Sequence, residues 1–504
     1  MPNTVTIEPV TRIEGHAKVT IHLGDDGKVE RARMHVVEYR GFEKFCEGRH
    51  FSEMPMITAR ICGICPISHH LAAAKAGDAI LGAQIPRTAA LLRELTHMGQ
   101  IVQSHALSFF HLSAPDLLLG FDADPATRNI IGLIEQKPDI ALQGVRLRKF
   151  GQEVIARVAG RRIHPTFAIP GGVNQRLSPE DRDALLAGID AAIEQCQGAI
   201  RLVKGYYEEN AADVVRFAHF PSLYAGLVAR DRGPETGDGG ACANGSAALP
   251  SPVSGRAGGA LEHYDGVLRF MDADGAILED GVDPDRYLAY IAETTEDWSY
   301  LKFPYYRQRG YPAGAYRVGP LARLNIAGSA GTPLAEAELR EFKALGGGKP
   351  VEGSLYYHYA RMIEALYATE RARQLLEDPE ILGGDLVALG SGSLRAQGIG
   401  VIEAPRGTLF HHYQVEDDSG RLEKVNLIVS TGQNNVAMNE AVFSVAKEYV
   451  DGTRLREGML NRVEAAIRCY DPCLSCSTHA IGRMPIAVEL VGPAGAVVDR
   501  AARG

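Results

Sequence analysis

The sequence predicts an α+β fold, a mainly helical bundle core with small antiparallel β-sheets. Three observations predict it. The first forty residues alternate apolar and polar side chains, long stretches further on repeat apolar residues at helical spacing, and a second alternating pair returns ahead of the last two helical stretches.

Taken in order, strands are expected at Thr4–Ile7, His16–Leu23 and Val29–Val37, with Asp26-Gly27 as the tight turn between the last two. Thr88–Leu112 should be a long helix, because Leu91, Leu92, Leu95, Met98, Ile101 and Val102 fall on one stripe. Another helix should open at Ser178-Pro179-Glu180-Asp181, where a capping serine precedes a proline and two acids, and run to about Tyr207. Further helical patterns cover Asp285–Tyr300, Leu334–Leu345, Leu355–Leu376, Asn435–Tyr449 and Leu455–Cys469. A strand pair is expected at Thr408–Gln414 and Lys424–Ser430, turning near Ser419-Gly420. The segment 230–259 is rich in Gly, Pro, Ala and Ser, which predicts a flexible surface insertion.

At 504 residues the chain can bury a large core, and length alone suggests two or three domains. A net charge of −9 argues against nucleic acid as a partner, since no basic stripe offsets phosphate repulsion. The longest apolar runs are too short to span a bilayer, so no membrane insertion is expected. Met1–Pro9 has neither a basic start nor an apolar stretch, which points to a cytoplasmic location.

Four of the eight cysteines form two C-x-x-C pairs, Cys62/Cys65 and Cys473/Cys476; Cys46, Cys196, Cys242 and Cys469 are scattered. In a reducing compartment such pairs are metal or redox sites more often than disulfides. Four thiolates on one centre suit zinc, iron–sulfur clusters, copper(I), or nickel and iron. Structural zinc is the commoner answer for two C-x-x-C pairs taken alone. Against it, these pairs lie hundreds of residues apart, and Arg60, His69, Asp471 and His479 surround them. A chain of this size also folds without a metal staple.

Arg60-Ile61-Cys62-Gly63-Ile64-Cys65 with His69, and Asp471-Pro472-Cys473-Leu474-Ser475-Cys476-Ser477-Thr478-His479, resemble the two cysteine signatures of nickel–iron hydrogenase large subunits. Arg12-Ile13-Glu14-Gly15-His16, Arg40-Gly41-Phe42-Glu43 and Ala404-Pro405-Arg406-Gly407 are similar to three further motifs of that family, in the family's order. The resemblance implies the family's large-subunit fold and a set of roles. Cys62 and Cys473 are then terminal nickel ligands, and Cys65 and Cys476 bridge nickel to an iron that carries carbon monoxide and cyanide. Arg406 reaches towards the open metal face, held by Asp116 and Asp471, and His69 donates to the Cys65 sulfur. Thr431 hydrogen-bonds a cyanide, and Pro405 is the other residue that binds the cofactor. Glu14 relays protons, a task that suits a partly buried carboxylate, although a plain salt bridge to Arg12 is the alternative. Glu43, a backbone carbonyl and His479 bind magnesium, a hard ion that favours oxygen.

Cys62–His70 and Asp297–Pro304 look most like the soluble, NAD-coupled branch. That implies an iron–sulfur small subunit, together with flavin diaphorase subunits, as partners. No Gly-rich dinucleotide fingerprint follows a strand here, so NAD, FMN and the iron–sulfur clusters belong to those partners. A related branch with a deazaflavin or thiol–disulfide acceptor, a low-turnover dihydrogen sensor, and a metal-free or zinc-binding scaffold subunit remain as alternatives. The resemblance also divides the chain into a catalytic domain, 1–479, and a C-terminal maturation peptide, 480–504, removed by a dedicated endopeptidase. A terminal edge strand is the plainer reading of that tail, given its run Ile486-Ala487-Val488-Glu489-Leu490.

Overall fold

The computed structural model describes residues 4–230, 259–452 and 454–479, together with the backbone of two strands, Ile486–Val491 and Val497–Arg503. Most of the expected insertion at 230–259 lies outside the described residues, as does Cys242.

Thr4–Ile7, Ala17–Leu23 and Val29–Val36 form an antiparallel sheet in that order, with alternate residues buried. The Asp26 carboxylate accepts from the Lys28 amide and closes the turn. Helices then build the centre: Pro66–Leu81, Arg87–Ala106, Pro138–Ala159, Pro179–Glu209 and Tyr356–Glu377. Ser178 caps its helix as expected, accepting from the Asp181 amide. The expected helix Thr88–Leu112 starts and ends close to its predicted limits, but Leu107–Ser113 widens into a π-helical turn. Asn435–Tyr449 and Glu457–Tyr470 close the chain before the second cysteine pair. Among the described residues no helix is long and apolar enough to cross a membrane.

Two expectations need correction. Asp285–Tyr300 is not a helix: a single 3-10 turn, Pro284–Ala289, gives way to the strand Ile291–Thr295, which pairs with Lys302–Tyr306. Its end, Thr294-Thr295, is β-branched, and that preference prevails over an apolar spacing that also fitted a helix. The strand pair near residue 410 is a three-stranded sheet, Gln397–Ala404, Gly407–Val415 and Leu422–Ile428.

Close approach of glycines sets the geometry on which the cysteine pairs rest. A side chain at Gly398 or Gly400 would meet the Ala76 or Ala72 carbonyl oxygen at 2.1 or 1.9 Å, so the first strand of that sheet lies directly on the Pro66–Leu81 helix. Gly99 and Gly151 likewise let Arg87–Ala106 and Pro138–Ala159 close on each other. The result places the start of one helix, the end of one strand and the last helical turn among the described residues, Leu474–Ser477, around a single point.

Candidate metal centre

The first cysteine pair is held through its backbone. The Arg40 guanidinium donates to the Ile61 carbonyl at 2.8 Å, His164 to the Cys62 carbonyl at 3.0 Å, and Gln100 and Gln103 to the Ile64 carbonyl at 2.8 and 2.6 Å. Pro66 then starts a helix immediately after Cys65. The second pair follows Asp471, whose φ of 51° turns the chain out of the preceding helix. Thr431 Oγ1 accepts from the Cys473 amide at 2.9 Å, the Glu14 carbonyl from the Leu474 amide at 3.2 Å, and the Glu14 carboxylate from the Ser475 amide at 3.1 Å.

These supports bring the four sulfurs together. Cys62 and Cys473 are 3.3 Å apart, Cys65 and Cys476 3.9 Å, Cys473 and Cys476 2.8 Å, and all four lie within 4.8 Å of one another. All four cysteines are buried and none is in a disulfide. The thiols share protons: hydrogen bonds from Cys473 and Cys476 pull the Cys65 pKa down, while burial pushes Cys473 and Cys476 up. Four thiolates this close cannot all be charged without a cation among them, and a soft metal supplies it. A cavity lies against the sulfurs, lined by Cys65, Cys473, Cys476, His69, Arg406 and Thr431, with Ala404, Leu409, Val429 and Ser430. The cavity is small, about 10 Å³, and meets the sulfurs on one face, where Cys65, Cys473 and Cys476 line it.

Arg406 stands over that face. Its Nε donates to the Asp471 carbonyl at 2.5 Å, one terminal nitrogen meets the Asp471 carboxylate at 3.0 to 3.1 Å, and the other reaches Ser104 Oγ at 3.5 Å. Burial opposes its charge, but Asp471 and the cysteines outweigh that and raise its pKa. Asp116 does not hold Arg406. Its carboxylate pairs with Arg12 at 2.5 Å and Arg468 at 2.6 Å, which clamp the Thr11–Ile13 stretch. Three arginines surround Asp116, the third being Arg128 at 3.5 Å, and leave no oxygen for a fourth. Arg12 is thereby engaged, so the alternative of a Glu14–Arg12 salt bridge is not the arrangement found; Glu14, half-buried, leans on the second cysteine segment instead.

Pro405 does not line the cavity; its carbonyl accepts from Arg323 at 3.2 Å. Arg323 is a residue the sequence did not single out. Fully buried, it grips Glu364 through two bonds of 2.6 Å and Glu403 at 2.7 Å, and also holds the Ala404 carbonyl. The turn that carries Arg406 is thus fixed from beneath. Glu403, next to Ala404-Pro405-Arg406, was the only sequence signal for it. Ser104, Gln100 and Gln103 were also missed, although the last two sit three apart on one helix face.

His69 borders the cavity, but the contact found for its Nδ1 is His411 Nε2 at 3.1 Å rather than a cysteine sulfur. His70 is a packed histidine: Nδ1 donates to the Pro55 carbonyl and Nε2 accepts from the Ala168 amide. Glu43 accepts from Lys302 and the Leu427 amide, both at 2.7 Å. His479 donates through Nε2 to the Cys476 carbonyl at 2.9 Å, so its Nδ1 carries a lone pair, and that atom is buried without a partner. A lone pair orphaned in this way fits a cation ligand.

Comparison with known proteins agrees with this geometry. A family model described as nickel-dependent hydrogenase matches residues 40–129 and 271–479, and one described as HoxL-like matches residues 4–39. The chain is 42% identical, over all of both chains, to the NAD-reducing hydrogenase HoxS subunit beta of Cupriavidus necator. It is 43% identical to a component of the F420-non-reducing hydrogenase vhu of Methanococcus voltae, covering 88% of this chain and 98% of that one. A solved structure of an NAD+-reducing [NiFe]-hydrogenase in the H2-reduced state superposes with a TM-score of 0.87 at 46% identity, covering 94% of this chain and 99% of the other. The chain belongs to the nickel-dependent hydrogenase family, as a catalytic large subunit of the nickel–iron type.

Proposed function

We propose that this protein catalyses reversible heterolytic cleavage of dihydrogen and passes the electrons, through an iron–sulfur small subunit plus flavin diaphorase subunits, to NAD. The observation that carries the chemistry is the convergence of four buried cysteines beside a cavity lined by Arg406, which Asp471 holds in place. Similarity to two NAD-reducing relatives supports the acceptor. The similar archaeal relatives are named F420-non-reducing, which gives a deazaflavin acceptor no support.

Cys62, Cys65, Cys473 and Cys476 would hold nickel and an iron bearing carbon monoxide and cyanide, which would supply the redox chemistry for splitting dihydrogen. The chain's own residues do the rest. Arg406 presents fixed N–H groups and positive charge above the open face, where charge separates as the bond breaks. A cysteine sulfur of the set takes the proton. Glu14, one hydrogen bond from the backbone between Cys473 and Cys476, is placed to carry that proton towards solvent. Thr431 fixes the Cys473 amide and lines the cavity, where it would hydrogen-bond a cyanide. Glu43 and His479 would contribute ligands to magnesium or a similar cation. Elemental analysis of the matured complex is the test: nickel and iron near one each per chain are expected, and stoichiometric zinc without nickel overturns the reading. Dihydrogen-dependent reduction of NAD by the complex, and none by the isolated chain, tests the partners.

The domain division 1–479 and 480–504 is part of the same proposal. The family match ends at residue 479. His479 is buried, with its imidazole turned back onto the Cys476 carbonyl. The backbone of Ile486–Val491 pairs with Val497–Arg503 as an antiparallel hairpin. A maturation endopeptidase removes this tail, and the enzyme works in the cytoplasm. Active, nickel-loaded enzyme should show an intact mass ending at His479; a mass that still includes Gly504 refutes the cleavage.

A further inference from the structure

One row of side chains leads away from the metal cavity and ends inside the protein. Leu409, His411 and Tyr413 alternate along the strand Gly407–Val415, so they share one face. Leu409 lines the cavity, while His411 and Tyr413 are fully buried. His69 lines the same cavity from the helix that starts after Cys65, one turn further along. His69 Nδ1 lies 3.1 Å from His411 Nε2, and His411 Nδ1 lies 2.6 Å from the Tyr413 hydroxyl.

Each of these two bonds holds one proton, and the directions are coupled. Burial pushes the Tyr413 phenol well above its ordinary range, so it keeps its proton and has one to donate. Burial pushes His411 well down, so it is a neutral imidazole with a single N–H. When Tyr413 donates to His411 Nδ1, the His411 proton must sit on Nε2. That N–H then donates to His69 Nδ1, which places the His69 proton on its own Nε2. With Nδ1 taken up by His411, Nε2 is the nitrogen left for the cavity. The reverse order would turn a lone pair towards thiolate sulfur, which is repulsive.

We propose that Tyr413, acting through His411, sets the tautomer of His69 so that it presents an Nε2–H donor to the cavity holding Cys65 and Cys476. Tyr413 and His411 are positioning residues, since neither touches the cysteines. The two hydrogen bonds couple the three tautomers and the cysteine sulfurs select between the two orders; the effect on the centre rests on the nickel–iron reading. A donor facing thiolate sulfur withdraws electron density from it, which favours the reduced centre and raises its potential.

Neutron diffraction from crystals of the deuterium-exchanged complex tests the tautomer directly. Deuterium is expected on the Tyr413 oxygen, His411 Nε2 and His69 Nε2; deuterium on His69 Nδ1 overturns the proposal, whatever metal is bound. The second test is Tyr413→Phe in matured complex with unchanged thermal transition. Its nickel potential, followed by paramagnetic resonance, should shift to more negative values than wild type. In a His69→Gln background the same change should produce no further shift. Equal shifts in both backgrounds overturn the proposal, because a merely structural role is additive. Absence of nickel from the wild type would sink the metal reading alone, and the neutron result would still decide the tautomer.

Discussion

The two C-x-x-C segments have the same spacing and opposite construction. Cys62-Gly63-Ile64-Cys65 is embedded early: its own helix follows at once, and Gln100, Gln103 and His164 grip its carbonyls from elements within about a hundred residues. Cys473-Leu474-Ser475-Cys476 has only a four-residue helical turn of its own, Leu474–Ser477. It is held by amide donation to Thr431 and to Glu14, a residue from the far end of the chain. Both are buried in the same core, but one is braced by its own helix and by nearby elements, the other by contacts from distant parts of the chain. A site built in this way has a fixed wall and a closing wall.

Removing a sulfur should erase the difference. Cys65→Ser and Cys476→Ser are both expected to abolish metal retention, because each takes away a bridging thiolate in the proposed centre. Elemental analysis checks this, and a variant that keeps full nickel would show that three sulfurs suffice.

The closing wall is where Glu14 sharpens the contrast. Glu14→Gln can still accept from the Ser475 amide but cannot shuttle a proton, so dihydrogen–deuterium exchange should fall by about a hundredfold or more at normal metal content. Glu14→Ala loses both roles and should also lower nickel occupancy. If the two variants bind nickel equally, Glu14 does not support the second segment.

Acid should act on the fixed wall through His70. Burial pushes its pKa down to about 4, below the ordinary value near 6.5, so the folded state prefers the neutral ring whose Nε2 accepts from Ala168. That stability is fully present above about pH 6.5 and is lost as pH falls towards 4, by about 3 kcal/mol for this one group. Urea midpoints measured across that window should decline, and a flat profile would contradict the assignment. The smallest effect is expected from Gln103→Leu, which removes one of two donors to the Ile64 carbonyl: about 1 kcal/mol of stability with unchanged metal stoichiometry, read by urea denaturation and metal analysis.

Much of this was legible in the residues. The convergence of the four cysteines and the pairing of Arg406 with Asp471 needed only motif and residue type, whereas the contact of Glu14 with Ser475 was not foreseen. The Ser178 helix was legible because a capping serine and proline mark its start. Pro66–Leu81 was not, because nearly every face of it is buried and its alanines give no polar stripe to count. The partner of Asp116 was misread for a different reason. Sequence shows that a carboxylate and an arginine exist, but which guanidinium reaches which oxygen is set by packing between residues hundreds apart, and Arg12 and Arg468 arrive first. Arg323 was invisible because an arginine in a sequence looks like surface; only its burial with Glu364 and Glu403 marks it as a brace.

The bond between Glu14 and Ser475 spans 461 positions of the chain. At roughly 5–20 residues per second of synthesis, Glu14 waits on the order of half a minute or longer before its partner leaves the ribosome. For most of that interval the first cysteine pair and the N-terminal segments have been made while the closing wall does not yet exist. Nascent chains therefore expose a two-cysteine half-site that any thiol-seeking ion or oxidant reaches first. Loading the correct metal becomes a matter of timing in the cell as much as of affinity.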